Sequence, residues 1–181
     1  MPAQSRRKSN GRNNSTTDAI ALLKKDHQEV RKLLNQLERT TAQNGAQRRE
    51  LLSRIENEIK AHAAIEAQIF YPAFKAAVRS KPDEELYYEA IEEHHVVDLV
   101  LPEVKRAGVE SEKFAAKAKV LKDLIEHHVG EEEKGMFPKA RKVMGAAELN
   151  GLGRKIQQRK QQFTTGGTLA RLLTRRGVRA A

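Results

Sequence analysis

The sequence predicts an all-α fold, an up-down antiparallel four-helix bundle, and three observations carry that prediction. Aromatic residues make up 4% of the 181 residues, Trp is absent, and Gly and Pro number only 11 and 5, which disfavours a β-rich or collagen-like chain. Long stretches place apolar residues alternately three and four apart, the pattern of a helix with one buried face. Short polar breaks separate these stretches, so that consecutive helices run antiparallel.

The first helix is expected over 18–40, with Thr17 as its N-cap and Asn44-Gly45 in the following break. The second covers 46–79 and ends at Ser80-Lys81-Pro82, and the third covers 83–105 and stops before Gly108. The fourth runs from Ser111 or Glu112 to Val143, before Gly145. Together they form a bundle over residues 16–145. A short fifth helix over 146–162 is weaker, because Gly151 and Gly153 interrupt it. Pro72 and Pro138 deprive the carbonyls four residues back, at Gln68 and Lys134, of a donor, and a kink is expected at each.

Charge is distributed unevenly. The formal net charge is +10, from 34 Lys+Arg against 24 Asp+Glu. Residues 1–15 carry Arg6, Arg7, Lys8 and Arg12 in a Ser/Asn/Gly-rich context and read as a disordered basic arm. The last stretch of a basic extension over 146–181 carries Arg154, Lys155, Arg159, Lys160, Arg171, Arg175, Arg176 and Arg179 and, from Gly151 onward, no acid. These two segments hold 12 of the 34 basic residues and none of the 24 acids, which leaves the segment between them at −2. The tails suit a polyanion, bound through release of its counterions. The run Gly166-Gly167-Thr168-Leu169-Ala170-Arg171-Leu172-Leu173 is similar to docking tags that load enzymes into protein shells.

The absence of Cys excludes disulfides, thiolate nucleophiles, zinc fingers and cysteine-held iron–sulfur clusters. The longest apolar run, Ala19 to Leu23, is far short of the roughly 20 residues of a membrane span. No apolar stretch follows the basic N-terminus as a signal peptide would require, so a cytoplasmic location and no membrane partner are expected.

The helical seams contain residues that do not belong in an apolar core. The first reads Ile20, Leu23, His27, Val30, Leu34, Leu37 and the second Ile55, Ile59, His62, Glu66, Ile69, Ala73. The third reads Tyr87, Ala90, His94, Val97, Leu101, Val104 and the fourth Leu121, Ile125, His128, Glu132, Met136. The halves also repeat. A shift of 67 places Asp26-His27 on Glu93-His94, and a shift of 66 places His62, Glu66 and Tyr71-Pro72 on His128, Glu132 and Phe137-Pro138. This alignment selects His94 over His95 and His128 over His127, as the seam does.

Burying these His and Glu side chains unpaired would cost several kcal/mol for each charge. A dinuclear metal centre resolves the set, with two imidazoles per metal and two carboxylates whose charge offsets the cations. Imidazole with carboxylate suits iron first and manganese second, and accepts zinc.

These residues resemble the hemerythrin-like family, the HHE cation-binding domain, through Asp26-His27, His62-x3-Glu66 with Phe70-Tyr71-Pro72, Glu93-His94, and His128-x3-Glu132 with Met136-Phe137-Pro138. The resemblance implies a four-helix bundle over about 19–143 holding two non-haem iron ions. It makes His27, His62, His94 and His128 terminal ligands and Glu66 and Glu132 bridges. Oxygen-carrying members use a further His four residues after the third-helix ligand, where this chain has Asp98. That replacement favours reaction with peroxide, NO or O2, including catalase-like turnover, over reversible carriage. His95 and His127 lie one residue off the seam and read as outer or surface residues. The alternatives are an iron- or oxygen-sensing module without turnover, and a di-iron protein that repairs iron–sulfur clusters. Members of the latter group carry a Cys-containing N-terminal segment that this sequence lacks.

Overall fold

The computed structural model describes the backbone of residues 18–177 and the side chains of residues 18–163. The expected arm over 1–15 and the side chains of the docking-like run 166–173 lie outside the described residues. Helix α1 spans Ala19–Glu38, and its N-cap is Asp18, which adopts an extended conformation and accepts from Ala21 N at 2.9 Å. This replaces Thr17, which also lies outside the described residues. A short 3-10 turn over Ala42–Asn44 leads into α2, Gly45–Ile65. A π turn over Glu66–Phe70 joins α2 to α3, Tyr71–Ala77. Helix α4 covers Lys81–Arg106 with Pro82 in its first turn, where a missing N–H has no consequence. Gly108 then takes a φ of +73°, which reverses the chain before Ser111 caps α5 by accepting from Phe114 N. Helix α5 is Glu112–Glu131, a second π turn covers Glu132–Met136, and α6 is Phe137–Val143.

Counting each π turn as part of its rod, four rods form the expected all-α bundle. Helices α1 and α2 pair, α4 and α5 pair, and α1 meets α5. Two apolar clusters fill it. One contains Ile20, Leu23, Phe70, Phe74, Met136 and Phe137, and the other contains Val30, Leu34, Ile55, Ile59, Leu121 and Ile125. The seam imidazoles fall between the clusters: His27 follows Leu23 and precedes Val30, and His62 follows Ile59 and precedes Ile65.

Before Pro72 and Pro138, where kinks are expected, the helix widens into π turns. Tyr71 N bonds to Glu66 O and Phe137 N to Glu132 O, each reaching five residues back. The wider turn moves carbonyls away from the proline ring that follows. It also shifts the register. Ile69 and Ala73, expected on the buried seam, are only partly buried, whereas Phe70 and Phe74, one residue further on, are fully enclosed.

The weak fifth helix is in fact long. Helix α7 covers Ala146–Gly177 and passes through Gly151 and Gly153. Leu149, Leu152 and Ile156, three and four apart, are buried in the same cluster as Ile20 and Leu23, and α7 packs on α1 and α2. Each such apolar burial contributes about 1.5–3 kcal/mol, which outweighs the roughly 1 kcal/mol a mid-helix Gly costs. Among the described residues, no helix is long and apolar enough to cross a membrane.

Candidate metal centre

The predicted ionisable residues meet in one layer between the apolar clusters. His27 comes from α1, His62 from the end of α2, His94 from α4 and His128 from the end of α5, while Glu66 and Glu132 open the two π turns. Spacing of four residues stacks His and Glu on one face. His62 Nε2 lies 3.0 Å from Glu66 Oε1, and His128 Nε2 lies 3.7 Å from Glu132 Oε2. Across helices, His27 Nε2 faces His62 Nε2 at 3.1 Å and His94 Nε2 faces His128 Nε2 at 3.1 Å. Glu66 Oε2 reaches His94 Nε2 at 3.2 Å, and Glu132 Oε2 reaches His27 Nε2 at 3.2 Å. Each carboxylate therefore touches one imidazole of each pair.

Outer carboxylates set the imidazole tautomers. His27 Nδ1 lies 2.9 Å from Glu133 Oε1 and His128 Nδ1 lies 2.8 Å from Glu93 Oε2. An acceptor at Nδ1 places the proton there and turns the Nε2 lone pair toward the layer. Asp26 Oδ2 is 3.6 Å from His62 Nδ1, slightly long for a hydrogen bond, and Asp26 also pairs with Lys160 of α7. Tyr71 donates to Glu132 Oε1 at 2.8 Å and lies 3.3 Å from both Glu66 Oε2 and His94 Nε2.

Asp26 and Glu93 were visible in sequence as the acid of the repeated acid-His pair. Lys160 left no signal, because its contact with Asp26 spans 134 residues. Asp98 and His95 are exposed, and neither joins the converging groups. His127, 67% exposed, reaches Glu93 Oε1 at 3.2 Å and so stands outside the layer.

The layer fits a cation on its own chemistry. Glu66 Oε1 and Glu132 Oε2 are buried without a hydrogen-bond partner. Imidazole nitrogens face one another at 3.1 Å twice, between His27 and His62 and between His94 and His128, and each pair offers a positive ion two nitrogen donors. Burial opposes a charge on His62, but the nearby carboxylates of Glu66, Asp26 and Glu132 outweigh it and push its pKa up to about 10. Burial likewise raises Glu66, yet the charge of His62 beside it overcomes this and holds it well below the ordinary carboxylate range. Two buried carboxylates set among four imidazoles make a layer that draws positive charge. Ligand atoms of His27, His62, Glu66 and Glu132 lie within 4.8 Å of one another, as do those of Glu66, His94 and His128. Glu66 is common to both groups.

The family profile of the hemerythrin HHE cation binding domain matches residues 18–140. The chain belongs to this family. Its hemerythrin HHE domain is similar to the crystal structure of an HHE cation binding domain-containing protein from Mycobacterium kansasii, with 28% identity and a TM-score of 0.74 over 87% of this chain and 93% of that one. It is also similar to a DNA nickase of Nostoc sp., 26% identical over 152 residues that make up 80% of this chain and 42% of the relative. The chain thus spans less than half the length of that relative. The domain is a helical cation-binding unit with a His/Glu cluster at its centre.

Proposed function

We propose that this HHE domain holds two iron ions and reacts with a small oxidant, peroxide, O2 or NO, in the cytoplasm. His27 and His62 would hold one ion, His94 and His128 the other, and Glu66 and Glu132 would bridge them. Manganese or zinc suits the same donors less well. Bound iron supplies one-electron redox chemistry, and the chain supplies the rest. Glu133 and Glu93 orient His27 and His128, while Tyr71 fixes Glu132 through its donated hydrogen bond.

One observation carries the reading. A cavity of about 30 Å³ touches His27, His62, His94 and His128 together and is otherwise walled by Val30, Val97, Ile125 and Val129, with Asp98 at its edge. It has room for one small molecule. Asp98, exposed at that edge, stands where oxygen carriers of the family have a His, which favours reaction over storage.

Protein produced with iron should contain about two iron ions per chain, as the paired ligand sets require, and His62→Ala should lose metal and colour. The reduced protein is then exposed separately to O2, NO and peroxide. Sustained turnover of peroxide or NO supports the reading. Stoichiometric saturation that stops indicates a sensing module instead, and metal-free wild-type protein refutes both.

A second reading adds DNA. The similarity to a protein named DNA nickase coincides with an acid-free basic stretch over residues 151–181. Such a stretch binds phosphates with an affinity that falls steeply as salt rises. Plasmid binding across a salt series, with and without residues 164–181, tests it, and strand breaks made by iron-loaded protein but not by His62→Ala extend it. Unchanged DNA affinity after the truncation turns the tail toward the protein-docking role of Gly166 to Leu173.

A further inference from the structure

All three tyrosines of the chain lie in one line from the metal centre to the surface. Tyr71, 1% exposed, donates to Glu132 Oε1. Its ring meets that of Tyr87 at 6.3 Å between centroids and 82°, and Tyr87 meets Tyr88 at 5.1 Å and 76°. Tyr88 is 51% exposed. Lys75 Nζ sits 4.6 Å from the centroids of both Tyr87 and Tyr88 and donates to the Tyr88 hydroxyl at 2.9 Å. Edge-to-face contact accounts for the packing of the buried rings. It gives no reason for a half-exposed tyrosine pinned at the end of the same line, whereas tyrosine is among the few side chains that exchange single electrons.

We propose that Tyr71, Tyr87 and Tyr88 form a relay that carries single electrons from a small reductant at the surface to the centre during peroxide reduction. The proposal rests on the reading that the centre reacts with peroxide. Reduction of one hydrogen peroxide to two waters consumes two electrons and two protons. Each electron leaves Tyr71 as its phenolic proton shifts along the hydrogen bond to Glu132, and the proton returns when Tyr87 refills the ring. Tyr87, partly buried and beside the Lys75 cation, releases its phenolic proton to solvent as it gives up that electron, and recovers one from solvent when Tyr88 refills the ring. The cation of Lys75 disfavours a positively charged ring beside it, so Tyr88 loses its phenolic proton to water together with the electron and becomes a neutral phenoxyl. That proton balances one taken up from solvent at the centre. A donor of the ascorbate or phenol class restores Tyr88 by giving it one hydrogen atom.

The test uses the iron-loaded full chain and peroxide without added reductant. Wild-type protein should show a tyrosyl radical on freeze-quenching and accumulate covalent dimers with dityrosine fluorescence, formed by coupling of two Tyr88 phenoxyls. Ascorbate should suppress the dimers. Tyr88→Phe should abolish them, and Tyr87→Phe should do the same with Tyr88 still present and iron content unchanged. Dimers in Tyr87→Phe equal to wild type, or peroxide consumed by wild type without any tyrosyl radical, overturn the relay. If wild type consumes no peroxide, the functional reading falls and the relay is judged on zinc-loaded protein photo-oxidised by a ruthenium polypyridyl complex with persulfate. A radical that spreads from Tyr88 to Tyr71 in wild type but stays on Tyr88 in Tyr87→Phe supports it, and identical signals overturn it.

Discussion

His27 and His62 keep 1% and 10% of their side-chain surface, whereas His94, the counterpart of His27 in the repeat, keeps 16%. The difference follows from what each half packs against it. Glu133 holds His27, but the residue that matches Glu133 in the repeat is Ala67, which has nothing to offer His94. Phe137 stacks on His27 at 5.6 Å, and its counterpart Tyr71 lies against His94 with a hydroxyl between both carboxylates. Helix α7 adds Lys160 behind Asp26 on the His62 side, and Glu93, the counterpart of Asp26, has His127 instead. The asymmetry is between His27 and His94 and not between whole halves, since His128 keeps 4% of its surface against 10% for its counterpart His62: the His27 position is sealed by Phe137 and Glu133, and the His94 position bears the Tyr71 hydroxyl and lies nearer solvent. Access for an incoming molecule suits the His94 position, and anchoring suits the His27 position.

Glu66→Ala should have the largest effect on that contrast, because Glu66 faces both pairs. Iron measured by mass spectrometry should fall from both halves together, and retention of one ion would show that the halves load independently. Next, His27→Ala should destabilise chelator-treated protein by about 3 kcal/mol, since it opens a buried cavity beside Phe137. His94→Ala should cost about 1 kcal/mol at its more open position. Equal urea midpoints for these two variants would erase the distinction between sealed and open positions. Glu93→Gln weakens the hold on His128 Nδ1 and should lower metal affinity by roughly 10–100-fold in competition with a chelator. Lys160→Met acts one residue further out, through Asp26, and should lower it less.

Acid provides the smallest effect and the finest probe. Burial raises the pKa of Asp26, but the nearby His62 and the hydrogen bond and charge of Lys160 outweigh it and hold the group below its ordinary 3.8. A depressed carboxylate contributes stability that is complete above its unfolded pKa and lost as pH falls through the lower folded one. The tie between α7 and Asp26 should persist in mildly acid buffer and loosen only below 3.8. Methyl NMR signals of Leu152 and Ile156 report it, and loosening near the pKa of an ordinary histidine would contradict the assignment.

Much of the centre was legible in sequence because its residues obey the helical period. His27, His62, His94, His128, Glu66 and Glu132 sit on seams whose neighbours are apolar, and the repeat independently chose the same register. What could not be read depends on tertiary contacts or on departures from that period. Ile69 was assigned inward by counting in steps of three and four, and the π turn gave its place to Phe70. The two glycines of α7 argued against a helix, but burial of Leu149, Leu152 and Ile156 against α1 and α2 decided the matter. Lys160 is an ordinary surface residue until α7 lies beside Asp26.

Each π turn is topologically a one-residue insertion inside a rod, and it acts like a frameshift in the screw of the helix. Deleting one residue from 67–69 would restore the α pitch and rotate everything beyond it by about 100°. The Tyr71 hydroxyl would then swing away from Glu132 although the tyrosine itself remained. Its place at the centre is a property of local pitch as much as of residue type. The fourth rod carries the same inserted step before Phe137. Homologous domains that differ by one residue at either point will therefore look aligned by their His and Glu residues and yet present different side chains to the centre.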